Sequence, residues 1–172
     1  MILLFTTQKK FGSRLIRWGT DSDCSHFAIC FDEGEKSGIV FQSQLQSGVT
    51  ISPWPDFVQH HTIVHALAPV TPVDEEAVYQ AMVKMFYGKQ YDWLAFTYFS
   101  LCVLRRKITG APLPTHNQWG NDRGFLCTEI ALALKDKGLG LGGKDLGIVY
   151  PHDLHTLFDR VYWAEINPAK VI

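Results

Sequence analysis

The stretch Ser25-His26-Phe27-Ala28-Ile29-Cys30-Phe31-Asp32-Glu33-Gly34-Glu35-Lys36-Ser37-Gly38-Ile39-Val40-Phe41-Gln42-Ser43 decides the fold. In its first arm Phe27, Ile29 and Phe31 face one way and His26, Ala28 and Cys30 the other, the period of a strand. Residues 32–38 are acidic and glycine-bearing, which is turn chemistry. Ile39 to Ser43 then returns as the second arm of a hairpin. A histidine therefore opens one strand, on a face whose other members, Ala28 and Cys30, are small. Small neighbours leave room for a second element to approach the ring. Gln42 and Gln44 lie on the returning arm, and both can share the face of His26. A side-chain carbonyl there could accept the imidazole N–H and hold one tautomer.

Outward from the hairpin, residues 2–5 read as a short apolar strand and 12–18 as a helical turn. Residues 49–52 and 62–68 read as further strands. Pro72 starts a helical region whose first turn carries Asp74, Glu75 and Glu76, where the helix dipole favours acids. It stops at Gly88. A longer helix runs from 92 to 107, and its apolar part, 93–104, reads as buried. It is too short and too polar at Thr97 and Ser100 for a membrane span. Residues 108–124 form a long loop, often the mark of function. A helix follows from Cys127 to Gly138, then a glycine-rich loop over 139–143, a short helix over 153–158 and a closing strand over 160–166. Strands, then helices, then a strand predict an α+β domain with an antiparallel sheet packed against helices. Neither a repeat nor a linker divides the chain, so residues 1–172 form a single domain.

Composition narrows the function. The chain has 172 residues, 47% of them hydrophobic, and a net charge of −1. That balance gives no electrostatic footprint for nucleic acid or an anionic membrane. Four cysteines, Cys24, Cys30, Cys102 and Cys127, are too sparse for a disulfide framework. They read as reduced thiols of a cytoplasmic protein. The positive charges of Lys9 and Lys10 follow the first apolar run, the wrong order for a signal peptide. Cys24 and His26 lack a second ligand pair at zinc spacing, and His60, His61 and His65 form no HExxH pattern. The glycines at 138–143 follow a helix rather than a strand, so they fail as a dinucleotide fingerprint. No metal and no cofactor is expected.

Cys127 opens the apolar helix Leu126-Cys127-Thr128-Glu129-Ile130-Ala131-Leu132. A free cysteine in such a place is commonly plain core. Here a polar loop precedes it, and unpaired N–H groups in a first helical turn favour a thiolate. Glu129 would oppose that if it pointed inward and is expected to face away. With His26 within reach, the pair would be a nucleophile and its base.

These segments resemble the circularly permuted branch of the NlpC-type papain-like cysteine hydrolases, which also contains lecithin–retinol acyltransferase-like enzymes. Ile2-Leu3-Leu4-Phe5 is similar to the opening strand of that branch. Leu15-Ile16-Arg17-Trp18-Gly19-Thr20 with Ser25-His26-Phe27-Ala28-Ile29 is similar to its histidine signature. Val40-Phe41-Gln42-Ser43 with Gly48-Val49 resembles a segment that often carries Glu where Gln42 stands. Gly88-Lys89-Gln90-Tyr91-Asp92-Trp93, Leu126-Cys127-Thr128-Glu129 and Tyr150-Pro151-His152-Asp153-Leu154 resemble three further motifs, in the family's order.

The resemblance implies a papain-like fold with the nucleophile at a helix N-terminus. It implies Cys127 as nucleophile, His26 as base, Gln42 as the residue orienting the imidazole and Tyr91 as a donor to oxyanion or substrate. An amide at Gln42 can orient the ring but stabilises its cation less than a carboxylate does. Leu126-Cys127-Thr128-Glu129 lacks the Asn-Cys-Glu-His pattern of the acyltransferases, which favours the amidase-like branch. The expected activity is hydrolysis of an amide bond in a small peptide or acyl-amide, with cell-wall-derived peptides as one source. The alternatives are acyl transfer or lipid-ester hydrolysis by the same pair, favoured if Trp93, Phe96 and Phe99 line the site, and a catalytically silent binding module.

Overall fold

The computed structural model describes residues 1–114, 118–119, 124–139, 149–158 and 160–171. The hairpin is present. β2 (His26–Phe31) pairs antiparallel with β3 (Ile39–Gln44), setting Ala28 opposite Gln42 and Phe31 opposite Ile39. It sits in a six-stranded antiparallel sheet with β1 (Ile2–Thr7), β4 (Gly48–Pro53), β5 (Thr62–Pro69) and β8 (Trp163–Ile166), in the order β4-β3-β2-β1-β5-β8. A parallel pair, β6 (Gln90–Tyr91) and β7 (Gly124–Phe125), stands apart.

Strand alternation divides the core into two layers. Leu3, Phe5, Phe27, Ile29, Phe31 and Phe41 face Val78, Met82 and Phe86 of α3 (Glu75–Phe86), together with Ile130, Ala131 and Leu134. The other face holds Ile2, Leu4, Ala28, Cys30, Val40 and Ala66 against Phe57. Phe57 belongs to α2 (Trp54–His60), a helix additional to the elements expected from the sequence. Its start signals were there: Pro55 in the first turn followed by Asp56.

α1 (Phe11–Thr20) and α4 (Trp93–Thr109) pack together where Gly19 meets Val103; a Cβ at Gly19 would overlap the valine side chain. The reading of 93–104 as a buried helix needs correction. α4 buries Ala95 and Val103, while Trp93, Leu94, Leu101 and Leu104 are about half exposed. Apolar composition predicts burial only if another element covers each face. The sheet's layers are filled by α2, α3 and the Cys127 segment, so α4 docks along a narrow line. Even so, no helix of the described residues is long and apolar enough to cross a membrane.

The helix expected from Cys127 to Gly138 begins as a 3-10 turn, Cys127–Ala131, and continues as α5 (Leu132–Asp136). Gly138 follows at φ +72, a left-handed stop that glycine adopts without strain. α6 (Pro151–Leu157) precedes β8. Most of the glycine-rich stretch 139–143 and the approach at 121–123 lie outside the described residues.

Candidate functional site

His26 is the first residue of β2 and is nine-tenths buried. Its Nε2 lies 3.1 Å from Gln42 Oε1. That carbonyl oxygen can only accept, so Nε2 carries the proton. Gln42 is itself held. Its Nε2 donates to Ser52 Oγ at 2.9 Å, and Gln44 Nε2 donates to its Oε1 at 2.9 Å. Of the two glutamines open from the sequence, Gln42 therefore contacts the ring and Gln44 braces Gln42. Among the described residues no hydrogen-bond partner takes the other ring nitrogen, Nδ1.

In the sequence His61 belongs to no ligand pattern. It stacks on His26 with ring centroids 5.1 Å apart, and on Phe57 at 4.1 Å. Its Nδ1 donates to the Phe57 carbonyl at 3.0 Å, and Gln8 touches its Nε2. Nothing in the spacing of His26 and His61 announces this pair. Burial, then the neighbouring His61, pushes the His26 imidazolium down to about 3, while Gln42 pulls weakly the other way. Burial lowers His61 as well. Both rings are neutral near pH 7, and His26 is a free base.

Cys127 lies on the other layer of the sheet, over Phe27. The backbone N–H groups of Phe27 and Thr128, and its own, favour negative charge on the sulfur. Burial nevertheless outweighs them and pushes the thiol up to about 11, with Glu129 adding to the rise. Contrary to expectation, then, the helix start does not yield a resting thiolate. Glu129 also turns back rather than away: its Oε2 accepts the Leu126 N–H at 2.6 Å. Cys24 and Cys30 are each pushed up to about 12 by burial.

Tyr91 is fixed by its backbone, which pairs with Phe125 across β6 and β7. Gly124 makes that approach possible, since a Cβ there would meet the Asp92 backbone at 2.9 Å. Asp92 in turn caps α4, its Oδ1 accepting the Ala95 N–H at 2.8 Å, and Ser43 Oγ donates to the Phe125 carbonyl at 2.7 Å. Burial, then the nearby Cys127 and Glu129, raises the Tyr91 phenol well above its ordinary range. It stays a hydrogen-bond donor.

His26, Tyr91 and Cys127 line one cavity of about 270 Å³. Gln44 joins them at its polar wall, with Ser13 and Ser25. Much of the rest of the wall is apolar, with Ile16, Trp93, Phe96, Phe99 and Val149, although Gln8, Lys10 and Thr128 also reach it. His26 and Cys127 come to this cavity from opposite faces of the sheet. Their meeting depends on His26 standing at the strand's end. Among the described residues, no hydrogen bond joins Cys127 to His26; the peptide N–H groups of Phe27, Thr128 and Cys127 itself are what favour charge on the sulfur. Chemically the site offers a neutral thiol, a neutral imidazole with one nitrogen uncommitted, a phenol donor and a set of peptide N–H groups.

No family model matches the chain, and neither curated proteins nor solved structures yield a match. The class that fold and site define on their own is an α+β domain with a thiol and an imidazole in one cavity of mixed polar and apolar lining.

Proposed function

We propose that this chain is a cysteine hydrolase with a permuted papain-like architecture, cleaving an amide bond through a thioester on Cys127. The observation that carries the reading is the cavity common to His26, Tyr91 and Cys127. Because thiol and imidazole are both neutral at rest, proton transfer accompanies attack rather than preceding it. The Cys127 proton passes to His26 Nδ1 as Sγ bonds to the substrate carbonyl carbon. The C–N bond then breaks, and the amine leaves with the proton from the imidazolium. Water attacks the thioester, His26 takes its proton, and the acid departs as the Cys127 thiol re-forms. The Cys127 N–H and the Tyr91 hydroxyl are donors suited to the oxyanion. Gln42 keeps Nε2 protonated, so that Nδ1 is the basic nitrogen.

The apolar wall favours a second reading beside the first. A substrate whose acyl group is a hydrocarbon chain suits Ile16, Trp93, Phe96 and Phe99 better than a polar peptide does, and the thioester chemistry serves an ester or an acyl transfer equally. The test is intact-mass labelling with matched acyl-amides and acyl-esters of increasing chain length, on wild type and Cys127→Ser. A hydroxylamine-labile adduct on Cys127 supports the hydrolase, and preference between the two series and among chain lengths chooses the substrate class. No adduct with any electrophile refutes both readings in favour of a silent binding module.

A further inference from the structure

We propose that the chain carries a transition-metal site, suited to Zn²⁺, formed by His65 on β5, His155 on α6 and Glu165 on β8. None of the three lines the cavity, and the site stands independently of the hydrolase reading. His65 Nδ1 is 3.0 Å from Glu165 Oε1, and His155 Nε2 is 3.9 Å from that same oxygen. One ligand atom from each residue lies within 4.8 Å of the other two. Tetrahedral zinc with bonds of about 2.0–2.1 Å holds its ligand atoms about 3.3 Å apart, so small side-chain rotations close this set on an ion.

Two features call for a cation here. The first is His155, which is 8% exposed and whose Nε2 is buried with no hydrogen-bond partner among the described residues. Its ring is held between Phe5, at 5.0 Å, and His65, stacked at 4.4 Å. A buried nitrogen without a partner is costly, and 3.9 Å is too long for Nε2 to hydrogen-bond the Glu165 carboxylate whichever tautomer the ring adopts.

The second is His65, whose two nitrogens both face carboxylates: Nδ1 faces Glu165, and Nε2 faces Asp23 Oδ2 at 3.0 Å. A neutral imidazole has one N–H and can serve only one of them, so answering both takes either a second ring proton or a metal ion. A metal on Nδ1 answers both contacts, since Nε2–H then donates to Asp23. That is the carboxylate–histidine–metal arrangement that orients ligands in metal sites. Arg160 Nη1 lies 3.8 Å from Glu165 Oε2, which leaves Oε1 turned to the histidines. Two imidazoles and one carboxylate with an open position match zinc better than calcium or magnesium, which prefer oxygen. Since α6 follows directly on Tyr150, which lines the cavity, a bound ion would brace that wall against the sheet.

Zinc could also bind Cys127, so titration calorimetry with zinc chloride is done on the full chain carrying Cys127→Ser as well as on wild type. The expected result is one equivalent bound by the Cys127→Ser chain, with any second equivalent confined to wild type. Glu165→Gln, at a half-exposed position, should weaken binding at least tenfold while circular dichroism shows the fold unchanged. Asp23→Asn should weaken it by roughly 10–100-fold, as loss of an outer partner does. His60→Ala should leave it unchanged. With Co²⁺ as probe, the Cys127→Ser protein should show a tetrahedral visible spectrum. Absence of zinc binding by the Cys127→Ser chain, or an affinity unaltered by Glu165→Gln, overturns the proposal.

Discussion

Replacing Gln42 by Glu puts a carboxylate where an amide oxygen now lies 3.1 Å from His26 Nε2. Opposite charges about 4 Å apart attract by ~4 kcal/mol at an effective dielectric of 20. At 1.36 kcal/mol per unit, that raises the imidazole by about three units. His26 should therefore move from about 3 to about 6. The carboxylate can stay ionised despite its burial, because Gln44 already donates at this position and the Ser52 hydroxyl can turn to donate. The assay is a pH titration of the imidazole resonances in histidine-labelled protein, with His26→Ala assigning the signal. A midpoint within about half a unit of wild type, against the roughly three worked above, refutes the account of how Gln42 acts on the ring. So does a larger shift from Gln44→Glu. Under the proposed function the variant retains or improves activity, because its base lies nearer neutral pH.

Acid stability provides a second measurement on the same group. Folding lowers His26 from about 6.5 to about 3. The unfolded chain therefore binds more protons between those values, and stability is complete above pH 6.5 and falls as pH drops through the window. His61, also lowered by burial, adds to the fall; denaturant midpoints from pH 7 to pH 3 should decline, and less steeply in Gln42→Glu. Gln42→Leu should abolish turnover, leaving the His26 N–H and the Gln44 amide without their shared acceptor. Gln44→Leu should cost much less, because it removes a donor that braces Gln42 but leaves the His26–Gln42 contact, and the reverse outcome transfers the orienting role to Gln44. Tyr91→Phe should lower kcat by roughly ten- to a thousand-fold if the hydroxyl serves the oxyanion; an unchanged rate reduces Tyr91 to packing.

Much of the scaffold was legible because local patterns carry it. Alternation in 26–31 and a polar turn specify the hairpin. Acids at Glu75 and Glu76 mark the start of α3, and Gly88 lies just past its end. Even α2, passed over, had Pro55 and Asp56 as its signal. The protonation states were not legible. A cysteine at a helix start suggests a thiolate, but desolvation decides its protonation state, and burial of Cys127 exists only once the sheet and its covering elements close. The exposure of α4 escaped for the same reason: its composition is apolar, and which of its faces meets a partner depends on elements far along the chain.

The choice between Gln42 and Gln44 shows where the boundary lies. The sequence placed both on the face of His26, because alternation has a period of two and they are two apart. The β2–β3 register sets Gln42 opposite Ala28, so continuing the ladder would leave Gln44 opposite His26. Strand twist and side-chain reach instead bring the diagonal neighbour, Gln42, to the ring. His61 against His26, and His65 with His155 and Glu165, have no local signature at all. Short-range physics thus determined the strands, the turns and the face each side chain takes. Only long-range packing decided which side chains meet, because strand order and the burial that sets each charge are properties of the assembled sheet.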